Sequence, residues 1–260
     1  MENSAISWTD HTFNPWIGCS KVSPGCEHCY AEVQARKLQA AHATGPLWGN
    51  RANRHITSAD YWQKPRKWAA TARAARVSKL VFCASMADIF DDHPVAAATR
   101  PRLFDLIDAT RCRDHRVGGL HWLLLTKRVD SIASMLPRNW GDGWPGVWLG
   151  CTIEGPDLAW RADVLRTIPA AVRFVSYEPA IGPLADAIDL SGIDWLIAGG
   201  ESGPGRRPDS IEWFRDIRDA CAKEGTAFFM KQRAALLPGQ APFIDGVQHH
   251  EWPGVALPRR

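Results

Sequence analysis

Lys79-Leu-Val-Phe-Cys-Ala-Ser85 is a short apolar run of β-forming residues that ends on a polar side chain. Five runs of the same kind follow: His121-Trp-Leu-Leu-Leu-Thr126, Val147-Trp-Leu-Gly-Cys-Thr-Ile153, Val172-Arg-Phe-Val-Ser-Tyr177, Asp194-Trp-Leu-Ile-Ala198 and Thr226-Ala-Phe-Phe-Met230. The stretches between them carry helical spacing at 95–110, 129–136, 157–167 and 211–224. Short strands alternating with helices predict βα units and a parallel sheet. Near-continuous apolar runs predict strands buried on both faces. Upstream, one more strand is expected within residues 5–18, and a helix from near Tyr30, because Ala31–His42 contains good helix formers and few breakers. The expected fold is α/β, a partial (β/α) barrel of TIM type with about six to seven parallel strands, as a single domain over 1–260. Residues 45–70 and 137–146 are expected to be insertions or long loops. The proline- and glycine-rich segment 233–260 is expected to wrap the surface as a tail.

The chain has 260 residues and is 45% hydrophobic, enough for one large core. No apolar run approaches the roughly 18 residues of a membrane span, and the N-terminus lacks the basic and apolar regions of a signal peptide. A cytoplasmic location and no membrane partner are the resulting expectations. There are 7 cysteines, and Cys83, Cys112, Cys151 and Cys221 are scattered singly, a pattern of reduced thiols and not of a disulfide framework. The formal charge of +3 excludes little, but its distribution is uneven. Between Gly45 and Lys79 lie Arg51, Arg54, Lys64, Arg66, Lys67, Arg73, Arg76 and Lys79 against the single acid Asp60, interleaved with Trp48, Tyr61, Trp62 and Trp68. Such a stretch suits either phosphate and base contacts or a solvated helix plus a tryptophan-anchored insertion.

The densest chemical signal is Asn14-Pro-Trp-Ile-Gly-Cys-Ser-Lys-Val-Ser-Pro-Gly-Cys-Glu-His-Cys-Tyr30, which packs Cys19, Cys26 and Cys29 among turn-formers. Three thiolates on one curled loop are a ligand set for a soft metal or an iron–sulfur cluster. A closed structural zinc site takes four protein ligands, whereas a cluster held by three leaves one iron open. His28 offers a three-Cys-plus-His zinc alternative, although it directly abuts Cys29. His249-His250 has the look of a solvated pair. No nucleophile elbow and no His-Glu-x-x-His motif occurs.

Each predicted strand after the first ends in polar groups: Ser85 and Asp88, then Lys127, Glu154, Glu178, Glu201 and finally Lys231. In parallel α/β folds the carboxyl ends of the strands carry the active site. These residues are therefore expected around one mouth, facing the cysteine loop. Gly199-Gly-Glu-Ser-Gly-Pro-Gly205 permits close backbone approach to a ligand but lacks a phosphate-loop pattern. Arg206 and Arg207 follow it and are candidates for an anionic substrate.

Asn14-Pro-Trp-x-Gly-Cys, followed by Gly-Cys-x-x-Cys-Tyr-Ala31, resembles the cluster loop of radical SAM proteins related to spore photoproduct lyase. The likeness extends to Ser85, Asp88, Thr99-Arg100 and Thr126-Lys127. Ile6-Ser-Trp-Thr-Asp10, Gly199-Gly-Glu-Ser-Gly203, Arg207-Pro208 and Phe229-x-Lys231-Gln232 resemble a phage-associated family labelled as of unknown function and found beside three-Cys-motif partner proteins. The resemblance implies a 4Fe-4S cluster on Cys19, Cys26 and Cys29, with S-adenosyl-L-methionine chelating the open iron. It further implies an external electron donor, a bacterial or phage-encoded cytoplasmic enzyme, and reductive cleavage giving methionine and a 5′-deoxyadenosyl radical that abstracts hydrogen. By the same resemblance Tyr30 lies near the adenine, and Ser85, Asp88, Lys127 and Glu154 meet the methionine and ribose ends. Glu178, Glu201 and Lys231 fall on the substrate side, with Lys127 also a catalytic candidate. The chain departs from the family in two respects. Six residues separate Cys19 from Cys26 where three are usual, and the usual Gly-Gly-Glu after the second strand is missing. The substrate expectation is a nucleic acid or nucleotide. A protein or metabolite substrate, and a zinc- or cluster-bearing nucleic-acid binder without catalysis, are the alternatives.

Overall fold

All six apolar runs form strands, and the upstream segment supplies a seventh, in a computed structural model that describes residues 1–42 and 45–254. In chain order the elements are β1 (His11–Phe13), β2 (Trp16–Ile17), α1 (Tyr30–His42), β3 (His55–Ile56), α2 (Ala59–Ala74), β4 (Ser78–Cys83) and α3 (Pro94–Thr110). There follow β5 (Gly119–Thr126), α4 (Ile132–Met135), β6 (Val147–Thr152), α5 (Trp160–Arg166), β7 (Val172–Tyr177), β8 (Trp195–Gly199), α6 (Ile211–Glu224), β9 (Ala227–Gln232), β10 (Phe243–Ile244) and β11 (Val247–Gln248). The main sheet has the order β1-β4-β5-β6-β7-β8-β9, and every pairing in it is parallel. It curls into a half-barrel whose first and last strands do not pair, in agreement with the expected partial TIM-type architecture.

Alternation along the strands divides the core in two. Val81, Cys83, Leu124, Leu149, Val175, Leu196 and Met230 point to the side where Leu103 of α3 and Phe214 of α6 pack. Leu80, Phe82, Leu123, Trp148, Phe174, Trp195 and Phe229 point to the other side. A helix-free inner face still has to be covered. Trp8 and Ile6 from the N-terminal segment and Trp252 from the tail cover it. Trp195 meets Trp148 and Phe229 edge-on, with centroids 5.9 and 6.1 Å apart, the geometry that the ring quadrupoles favour.

The helices end where their sequences say they should. α6 starts at Ser210, whose hydroxyl accepts from Glu212 N–H, and stops at Gly225 in the left-handed conformation (φ 73°). Its buried residues Phe214, Ile217 and Cys221 lie on one stripe.

Two expectations need correction, those for 45–70 and for His250, while 137–146 is a loop as expected. Half of the supposed 45–70 insertion is α2, the helix that leads into β4, and its Trp62 and Trp68 are core residues. Its many charges sit at positions the periodicity leaves outside, so the segment looked more polar than its packing is. The 137–146 loop is anchored by buried Trp140 and Trp144, whose indoles donate to Pro169 O and Asn139 O. His250 is not a freely solvated residue, since its ring stacks on Phe229 at 4.2 Å. The tail does fold back, with Met230 N–H donating to His249 O and Glu251 N–H to Phe228 O. Residues 255–260 of the expected tail lie outside the described residues. No helix among the described residues is long and apolar enough to cross a membrane.

Candidate functional site

A cavity opens where the inner face of the half-barrel meets the carboxyl ends of its strands. Trp8 and Phe82 form part of its floor, and Cys19, Cys26, Cys29, Tyr30, Ser85, Asp88, Lys127, Glu178, Glu201 and Lys231 line it. The expected mouth therefore exists, and the cysteine loop faces it. Glu154 is the exception: its side chain is fully buried beneath the loop.

The loop is held in place by backbone features that its sequence foretells. Gly18 adopts φ +126°, and a Cβ there would lie 2.6 Å from Leu47 O, so only glycine fits. Gly18 N–H donates to Met86 O and Cys19 N–H to Leu47 O, which fixes Cys19 between the end of β4 and the 47–49 segment. Asn14, just past β1, accepts from Met86 N–H at 2.8 Å and donates to Ser85 Oγ at 3.1 Å. A short 3-10 turn, Pro24–Cys26, then sets Cys26 ahead of α1. Tyr30, the first residue of α1, donates its hydroxyl to Ser85 O at 3.0 Å.

Among the charged residues at the strand ends, two populations separate. Asp88 accepts from Thr126 Oγ1 (2.8 Å), Phe90 N–H (2.9 Å), Lys127 N–H (3.2 Å) and Arg128 Nη1 (3.0 Å). Glu154 accepts from Arg161 Nη1 at 3.0 Å, from Ser23 Oγ, and faces Lys127 Nζ at 3.3 Å. Glu201 takes His28 Nδ1 (3.0 Å), Arg207 N–H (2.7 Å) and Arg207 Nη2 (2.6 Å). These three carboxylates are saturated by protein donors, as buried charges must be. They act as struts. Arg207 is a strut too, because its Nη2 also donates to Pro24 O at 3.1 Å. Asp88, Glu154, Glu201 and Arg207, expected at the ligand, thus make bonds within the protein, and of the four only Asp88 and Glu201 line the cavity.

The second population keeps capacity for a ligand. Glu178 and Lys231 pair with each other across the ends of β7 and β9 and have no other partner among the described residues. Lys127 Nζ has one partner, Glu154, and remains partly exposed at 21%. Ser85 and Tyr30 also face the cavity. Sequence reasoning missed Arg128, although it stands next to Lys127, and missed His28 as a strut, although it lies within the cysteine motif, because nothing local shows their partners.

The cysteines themselves are free thiols, as are the four scattered ones. Burial pushes the Cys19 thiol up to about 12, with Asp88 adding to the effect and Arg128 opposing it. Burial also raises Cys29, against the N–H groups of Glu32 and Ala31. Thiolates here need a cationic partner. Among the described residues no three His, Cys, Asp or Glu side chains stand together as ligands of one metal ion. In a four-iron cluster each thiolate binds a different iron, so its sulfurs stand wider apart than around a single zinc. The donor set, three soft thiols on one cavity wall, fits a cluster of that kind. His28 points its Nδ1 at Glu201 at 3.0 Å, and among the described residues it does not stand with the cysteines as a ligand set.

No curated protein and no solved structure matches the chain. A family model described as Protein of unknown function (DUF5131) matches residues 3–249, which takes in the cysteine loop and every strand end, and the chain belongs to that family.

Proposed function

We propose that this protein is a radical S-adenosylmethionine enzyme, with a 4Fe-4S cluster on Cys19, Cys26 and Cys29 and S-adenosyl-L-methionine in the cavity beside it. The observation that carries the proposal is the meeting of three free cysteines from one loop with the carboxyl ends of six parallel strands in a single cavity. Bound together, cluster and cofactor supply reductive cleavage to a 5′-deoxyadenosyl radical, with the electron coming from an external donor.

The chain's own residues bind and orient. Tyr30 and Ser85 lie beside the cysteine loop and offer a ring face and a hydroxyl. Lys127 presents an ammonium suited to a carboxylate. Glu178 and Lys231, on the far side of the cavity, present an acceptor and a donor to the substrate. Trp8 and Phe82 close the floor against water, which protects a reactive species from side reactions. The substrate class we favour is a nucleic acid or nucleotide, supported by the exposed Lys64, Arg66, Lys67 and Arg73 of α2, where Asp60 is the only acid.

Anaerobic reconstitution with iron and sulfide, followed by an assay for 5′-deoxyadenosine under a strong reductant, tests the proposal. Cleavage should accompany the brown chromophore, and Cys26→Ala should abolish both. A protein that binds zinc in place of the cluster and yields no 5′-deoxyadenosine would overturn it.

A further inference from the structure

The six residues between Cys19 and Cys26 pose a geometric problem, because a longer loop is free to swing its first cysteine away from the other two. Arg128, at the end of β5, stands where that freedom would be removed. Its Nη1 donates to Cys19 Sγ at 3.6 Å and to Asp88 Oδ2 at 3.0 Å. Its Nη2 donates to Ser20 O at 3.1 Å and to Ser20 Oγ at 2.7 Å. The guanidinium is itself immobilised: Asp91 lies 3.8 Å away, and Asp88 is fixed by Thr126 and two backbone N–H groups. The side chain is only 11% exposed. One rigid fork therefore grips the cysteine, the next residue's carbonyl and that residue's hydroxyl at once, while the far end of the loop is gripped separately by Glu154 and Arg207.

We propose that Arg128 is the positioning residue for Cys19. It clamps the first two residues of the long loop so that the extra length, Lys21 and Val22, bulges outward. In the cluster-loaded protein, a state that rests on the function proposed above, its N–H donates to the Cys19 ligand sulfur. A hydrogen bond from a cation to a ligand sulfur withdraws charge from the cluster and makes it easier to reduce. Lysine cannot do this, since a single ammonium cannot span Asp88, the sulfur and Ser20 together.

The test uses Arg128→Lys, which keeps the charge facing Asp88 and Asp91, and Ser20→Ala, which removes the 2.7 Å contact from the loop side without disturbing the core. The first readout needs no cofactor. Lys21 lies inside the bulge, 49% exposed, and trypsin nicking after it in the metal-free protein reports how tightly the loop is held. Loss of a charge-assisted bond should speed that nick roughly tenfold over the other tryptic sites in both variants. The second readout is the midpoint potential of the reconstituted cluster, which should move negative in Arg128→Lys. Unchanged nicking in both variants overturns the clamp. Faster nicking with an unchanged potential overturns the link to the ligand sulfur and leaves Arg128 a structural residue. If the wild type itself fails to assemble a four-iron cluster, the enzymatic proposal falls, and the nicking result still decides the clamp.

Discussion

Gly25→Ala tests whether the cysteine loop is seated on Glu154. A Cβ at position 25 would lie 2.5 Å from Glu154 Oε1, 2.6 Å from Cγ and 2.9 Å from Cδ. Ordinary contact begins near 3.4 Å, so one partner must retreat by about 0.9 Å. Glu154 has little room to do so. It is fully buried and bonded to Arg161 at 3.0 Å, with Lys127 at 3.3 Å and Ser23 above it. The loop must therefore lift, and Cys26 is the next residue along it. Overpacking of this kind costs about 1–3 kcal/mol, which for a chain of this size lowers Tm by roughly 2–12 °C. Thermal unfolding of the metal-free protein measures that loss, and iron and sulfide per chain after reconstitution should fall with it. Glu154→Ala frees the space, so in that background Gly25→Ala should cost less than about 0.5 kcal/mol. The two substitutions are coupled and not additive. An equal penalty in both backgrounds would refute the seating argument.

Other outcomes follow from the same geometry. Burial raises the Glu201 carboxyl, but Arg207 and His28 outweigh it and hold the group below its ordinary value. Its stabilisation is then complete above about pH 4.3 and lost as pH falls through the lower folded value. Urea unfolding across that range should show the loss, and Glu201→Gln should flatten it. His121, with both ring nitrogens buried and without hydrogen-bond partners among the described residues, is lowered to about 4 by burial. Unfolded chains bind its proton more readily between that value and about 6.5, so stability should rise across this window, by up to about 3 kcal/mol. His121→Phe should remove that rise, and an unaltered pH profile would show that the imidazole is not held neutral. Neutralising Lys64, Arg66 and Lys67 together should weaken DNA binding and make its salt slope shallower by about 0.9 for each phosphate the variant no longer neutralises. A slope that does not change would separate the α2 face from any nucleic-acid binding. Fluorescence anisotropy with single- and double-stranded oligonucleotides at several salt concentrations measures both quantities.

Much of this molecule is legible one segment at a time. Lys79–Ser85 and its five successors announce strands because apolar runs of that length, bounded by turn residues, have few other places to go. Their parallel pairing follows from the helical connections between most of them, the 178–194 connection of β7 to β8 being helix-free. The polar strand ends, the three cysteines and the glycines around them are equally local signals, and the cysteines and all the strand-end groups but Glu154 meet at one cavity. Where the reading failed, distance along the chain is the reason. Glu154 meets Ser23 across 131 positions, Arg128 meets Cys19 across 109, and Glu201 meets His28 across 173. A carboxylate becomes a strut or a ligand contact according to the donors that folding brings to it, and those donors come from other strands. Sequence by itself determined the sheet, the polar mouth and the cysteine loop that faces it. Only the tertiary structure decided that Asp88, Glu154 and Glu201 are tied up by donors around the cysteine loop while Lys127, Glu178 and Lys231 line the cavity with one charged partner each, because buried charge must be neutralised by whichever partners lie within reach.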